Sequence, residues 1–178
     1  MKKRLEIKKL ALSAVVCALS VIVCILGSIL NIADLTACTV AAGLLYLAMI
    51  DLSMRYSVLT YIASSVLMWI LFPYASGTVF YVAFFGYYPL IKGLLERLPK
   101  VLIYIVKLAL FNGILLLLFK FATFLFIAEG EATDSPILIA ALVLANIFFL
   151  VFDFALTVLS MAYKNHFRHL WGIDRLMR

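Results

Sequence analysis

Two stretches near the end of the chain decide its class: VLIYIVKLALFNGILLLLFKFATFLFIA at residues 101–128 and PILIAALVLANIFFLVFDFALTVLSMAY at 136–163. Only EGEATDS separates them. About 20 predominantly apolar residues suffice for a helix to cross a bilayer, and each stretch exceeds that. Each also carries groups that hydrocarbon penalises. Lys107, Asn112 and Lys120 lie on the first, and Asn146 and Asp153 on the second. Such groups normally face a bundle interior or an aqueous cavity, and they often mark a substrate path.

Composition extends this reading to the whole chain. Of 178 residues, 67% are hydrophobic and 13% charged, whereas a soluble domain is roughly half apolar and a quarter charged. The fold class is therefore all-α, a polytopic membrane protein forming one domain of six spans. They are expected at about 10–30, 35–52, 56–72, 78–95, 101–128 and 136–163. The basic start, with Lys2, Lys3 and Arg4, reads as the flank of a retained first helix, because no convincing small-residue cleavage site follows it.

Charge sets the orientation. Of the fifteen basic residues, thirteen fall at the ends expected to be cytoplasmic, and the other two are Lys107 and Lys120. The acidic residues Asp34, Glu129, Glu131 and Asp134 fall in the opposite loops. The positive-inside rule then puts both termini in the cytoplasm. It also accounts for the net charge of +6 without a nucleic-acid partner. The expected location is a cell membrane, of the bacterial cytoplasmic type.

Catalytic signatures are missing. There is no Walker sequence, dinucleotide fingerprint or H-E-x-x-H, and no nucleophile–base pair stands out, so an enzyme is disfavoured and no cofactor is called for. Cys17, Cys24 and Cys38 lie in or beside apolar helices and read as small packing residues. His166 and His169 have no further local ligand, so no metal site is expected.

Span 4 contains Tyr81, Gly86, Tyr87, Tyr88 and Pro89. Pro89 removes a backbone donor and predicts a bend near Phe85–Gly86. The tyrosines read either as aromatic packing around that bend or as ligand contacts. Lys92 and Glu96, four apart, read as a pair at the cytoplasmic end. In the last hairpin, helices ending near 128 and 136 would set Lys120 level with Asn146, and Asn112 level with Asp153. These two polar layers would be about 12 Å apart at 1.5 Å per residue. The outer layer would offer Lys120 to an anionic ligand group. The inner one, Asn112 with Asp153, reads as structural. Lys107 is expected to snorkel toward the cytoplasm.

In span 1, Ala14 and Ala18 are four apart with Ala11 close by, a small-xxx-small face that lets another helix approach closely. The same spacing serves ordinary packing. Together with the basic start, six spans and chain length, this A-x-x-x-A motif resembles the substrate-binding S component of energy-coupling-factor vitamin transporters. The resemblance implies that Ala11, Ala14 and Ala18 dock onto a transmembrane coupling protein driven by two ATP-binding subunits. It also implies a small ligand near the outer face, with contacts from Asp34, Tyr81, Tyr87, Tyr88, Lys120 and Asn146. The competing reading is a membrane scaffold, similar in size and architecture to the six-helix protein of the rod-shape machinery.

Overall fold

The computed structural model describes residues 2–30, 34–73, 75–95, 99–126 and 135–167. Seven α-helices run along the chain: α1 Lys2–Ile29, α2 Asp34–Asp51, α3 Met54–Leu71, α4 Ser76–Phe80, α5 Tyr88–Leu95, α6 Lys100–Phe126 and α7 Ser135–Ala162. A π-helical turn, Tyr81–Phe85, follows α4, and another, Tyr163–Phe167, follows α7. No strand occurs among the described residues. Five described segments are long and apolar enough to cross a membrane: Glu6–Ile29, Asp34–Asp51, Met54–Leu71, Ser76–Leu95 and Ile139–Asn165. Of the expected outer loop at 31–34, Asp34 begins α2; residues 31–33, Tyr74, Glu96, Arg97, the acidic turn with Glu129, Glu131 and Asp134, and the tail bearing Arg168, His169, Trp171, Arg175 and Arg178 lie outside the described residues.

The chain falls into two compact units. One is built from residues up to Leu94 together with those from Leu156 onward, and the other is Leu95–Ala155.

In the first unit α1 packs on α2 and α3. The buried face of α1 carries Ser13, Val16, Cys17, Ser20, Val21 and Cys24, a stripe at the three- and four-residue spacing of one helix face. The buried face of α3 is more polar still, with Ser57, Thr60, Ser64 and Met68. Its outward face carries Leu59, Ile62, Val66, Leu67, Trp69 and Ile70. This is the reverse of a water-soluble helix. Hydroxyls go inward and the large apolar side chains go outward. Only a hydrocarbon solvent makes that arrangement favourable. The hydroxyls of Thr60 and Ser64 donate to the carbonyls of Tyr56 (2.8 Å) and Tyr61 (3.0 Å) on their own helix, so burial leaves those protons satisfied.

Helix α2 is the close-packing element. It buries Ala37, Cys38, Ala41, Ala42, Gly43 and Ala48, side chains small enough to let neighbouring backbones approach. Val16 of α1 meets Ala48 and Leu52 in an apolar cluster, with Leu12, Leu44 and Tyr56 around it. The three cysteines are buried free thiols. At the far end of α2, the Tyr163 hydroxyl donates to the Asp51 carboxylate.

The break expected from Pro89 falls at Gly86–Tyr87, between the π turn and α5. Without an N–H, Pro89 cannot continue the helical ladder, and its ring crowds the carbonyl of the preceding turn. The chain responds with a wider turn, in which the Gly86 N–H reaches back five residues to the Tyr81 carbonyl (2.8 Å). The expected fourth span is thus one membrane-length segment made of α4, the π turn and α5.

In the second unit α6 and α7 bring their polar residues together in a hairpin. Helix α6 is described as far as Phe126, and the expected turn at 129–134 lies outside the described residues.

Candidate functional site

Within the first unit, the tyrosines of the fourth segment gather around Tyr61 of α3. Tyr61 lies 6.4 Å, centroid to centroid, from both Tyr81 and Tyr87. Tyr88 stacks on Phe84 at 4.9 Å. Tyr81 and Tyr88 are buried, and Tyr87 is partly exposed. Ser64 gives its one proton to the Tyr61 carbonyl, so the bond between Ser64 and Tyr81 (2.9 Å) has Tyr81 as donor. Tyr61 in turn donates to the Val82 carbonyl beside the backbone break, at 2.9 Å. Tyr81 and Tyr88 therefore act as packing and tethering groups, while Tyr87 retains surface to offer a ligand. Sequence reading missed Tyr61 and Ser64. The Ser57, Thr60, Ser64 spacing was the available signal for a polar inner stripe on α3.

Gly86 makes this cluster possible. A Cβ there would fall 2.5 Å from two ring carbons of Tyr61, a ring held at its hydroxyl by Val82 and flanked by two further rings. Gly86→Ala is expected to destabilise the protein by about 1–3 kcal/mol, the usual cost of forcing extra volume into a packed site. Thermal unfolding in detergent would register the loss, and an unchanged melting temperature would show that the ring yields freely.

At the start of α2, Asp34 accepts a hydrogen bond from the Ser76 hydroxyl through Oδ2. Its other oxygen, Oδ1, is buried without a hydrogen-bond partner among the described residues. Gly77 lies beneath the same carboxylate. A Cβ there would sit 2.8 Å from Ser28 Oγ and 3.2 Å from Asp34 Oδ1, and the Cys38 thiol donates to the Gly77 carbonyl at 3.3 Å. The ends of α1, α2 and α4 thus converge on one carboxylate with an open acceptor. Ser28, Ser76 and Gly77 were not singled out from the sequence.

Lys92 is fully buried and donates to Thr157 Oγ1 at 2.8 Å, while Glu96, its expected partner, lies outside the described residues. The hydroxyl on α7 gives the ammonium a protein acceptor, so it need not reach for the interface.

Within the second unit the polar layers differ from those expected. Lys107 does not snorkel. It donates to both oxygens of Asp153, at 2.9 and 2.8 Å, and the two side chains are only 6% and 12% exposed. Asn112 pairs with Asn146, not with Asp153. Each amide donates to the other's oxygen, at 2.9 and 3.0 Å. Each gives its second N–H to the carbonyl four residues earlier, Leu108 or Leu142, at 2.9 Å. Between the two layers Phe111 and Phe149 stack face to face at 4.6 Å. Charge thus meets opposite charge and amide meets amide, which satisfies every Asn N–H and the buried ion pair together. Asn146 is committed to this seam. Lys120 is exposed and does not join Asn146.

On α1, Ala11, Ala14 and Ala18 are all exposed. Internal packing uses the other face of the helix, the one bearing Ser13, Cys17 and Ser20. Among the described residues no group of three or more His, Cys, Asp or Glu side chains converges on a metal position. No family model, no curated protein and no solved structure matches this chain.

Proposed function

We propose that this protein is the membrane-embedded, solute-binding subunit of an energy-coupling-factor type importer for a small vitamin or metabolite. In this reading it has six spans, α6 among them, and cytoplasmic termini. It works with a transmembrane coupling protein and two ATP-binding subunits. The carrying observation is the outward-facing Ala11, Ala14, Ala18 surface on a helix whose internal packing is complete on its opposite side. Small residues facing the bilayer give up apolar contact with lipid. They gain it back when a second helix approaches closely.

The solute would be met by Asp34, which keeps an unpartnered carboxylate oxygen, and by Tyr87, the tyrosine that remains partly exposed. Tyr81 and Tyr88 would shape the site from behind. Asn146, with Asn112 and Asp153, would brace the hairpin. The test is thermal stabilisation of the purified protein over a panel of vitamins and metabolites, with Asp34→Asn alongside. The expected result is a rise in Tm for one solute class, lost in the variant. No rise across the panel would reject solute binding and favour the scaffold reading.

A further inference from the structure

Helix α6 seals one face against α7 through Lys107, Phe111 and Asn112 and leaves another open. On the open face Ile105, Ala109, Leu110, Gly113, Ile114 and Leu117 line an apolar groove of about 450 Å³. A Cβ added at Gly113 would meet nothing within 4 Å, so the notch is unfilled by protein. Residues 105–117 span about 18 Å of helix at 1.5 Å per residue. That is close to one leaflet, half of a hydrocarbon core about 30 Å thick.

A charge stands at one end of this groove. Lys120 lies seven residues beyond Gly113 and eleven beyond Ala109, which puts it on the same helix face. It is exposed. Among the described residues it has neither a hydrogen-bond nor an ion-pair partner. A lysine near the end of a long apolar stretch extends its ammonium toward the nearer headgroups while its stem stays on apolar surface.

We propose that this face of α6 binds one anionic phospholipid, an acyl chain lying in the groove from Leu117 to Ile105 and the phosphate resting on the Lys120 ammonium. Charge complementarity selects a lipid over a second helix. A helix seated over Gly113 would lay across Lys120 and need to supply an anion at that depth, whereas an anionic headgroup brings its own. The groove's leaflet-scale length fits the same occupant. The inference uses only the unit Leu95–Ala155 and a surrounding bilayer, so it stands whether or not the protein carries a solute.

The test is native mass spectrometry of the full-length protein released from detergent micelles doped with dioleoyl phosphatidylglycerol or dioleoyl phosphatidylcholine. Wild type is expected to retain the anionic lipid about five-fold over the zwitterionic one, the factor that one lysine contributes beside an anionic surface. Lys120→Gln should bring that ratio to about one and leave phosphatidylcholine retention unchanged. Gly113→Leu, which fills open space, should lower retention of both lipids. Equal retention by wild type, or an unchanged ratio in Lys120→Gln, overturns the proposal. A wild-type dimer that Gly113→Leu converts to monomer also overturns it, by assigning the groove to a second copy. Should Gly113→Leu fail to fold, the Lys120→Gln ratio still decides.

Discussion

Asp153→Ala is expected to cost about 3–5 kcal/mol of stability, the usual result of removing one member of a buried ion pair. The Lys107 ammonium would keep its place on α6 with both of its carboxylate bonds gone, in surroundings where it is only 6% exposed. The Asn112–Asn146 pair gives the scale for comparison. Interhelical hydrogen bonds between neutral side chains in membranes contribute roughly 0.6–2 kcal/mol, so Asn112→Ala should fall well below Asp153→Ala. The double variant Lys107→Met/Asp153→Leu separates the cost of breaking the pair from its net worth. Apolar replacements of similar size often match or exceed a buried pair, so the double variant should be at least as stable as wild type to within about 1 kcal/mol. Detergent-to-denaturant unfolding of the three variants provides the comparison. An Asp153→Ala loss under about 1 kcal/mol would mean that Lys107 finds another route to water or headgroups, and that the hairpin is not held at this layer.

That pair also shows what could and could not be read from the residues in order. The membrane class followed from composition, because no soluble core of this size hides so much apolar surface. The polar residues of the hairpin were legible individually, since a Lys or Asp inside a long apolar stretch needs a partner. Their pairing was not. Levelling two antiparallel helices from sequence requires knowing their register, and Asp153 meets Lys107, five residues before the Asn112 expected to be level with it. Once the register allows it, opposite charges outcompete mixed pairs in low dielectric. The contact of Lys92 with α7 was hidden for a different reason. Its partner Thr157 is 65 residues away, and a threonine in an apolar helix carries no signal that it will accept from a lysine. The tyrosines of the fourth segment had two readings, and burial divides them: Tyr81 and Tyr88 pack, Tyr87 stays partly open. The Asp34 neighbourhood depends on three helix ends that only the folded chain brings together, so Ser28, Ser76 and Gly77 had no sequence signature.

The second large effect is on assembly. Ala14→Leu and Ala18→Leu should each leave the isolated subunit within about 0.5 kcal/mol of wild type, because substitutions on exposed positions away from internal contacts rarely do more. Both positions are exposed, and neither belongs to the buried stripe of α1. If the alanine face seats a coupling protein, each leucine holds the two backbones apart and removes the close contact that drives helix association in lipid. Co-purification with the coupling protein and its two ATP-binding subunits should then fall by an order of magnitude or more, in both variants, with solute-dependent stabilisation intact. Ser20→Leu is the necessary contrast. Ser20 is fully buried, so a leucine there overpacks the interior and should lower the melting temperature. The two faces of one helix thus give opposite patterns, stability without assembly on one side and lost stability on the other. Complexes that form equally well with leucine at both alanines would place the partner elsewhere and leave the outward alanines as a lipid-facing surface, which removes the main support for an energy-coupled importer.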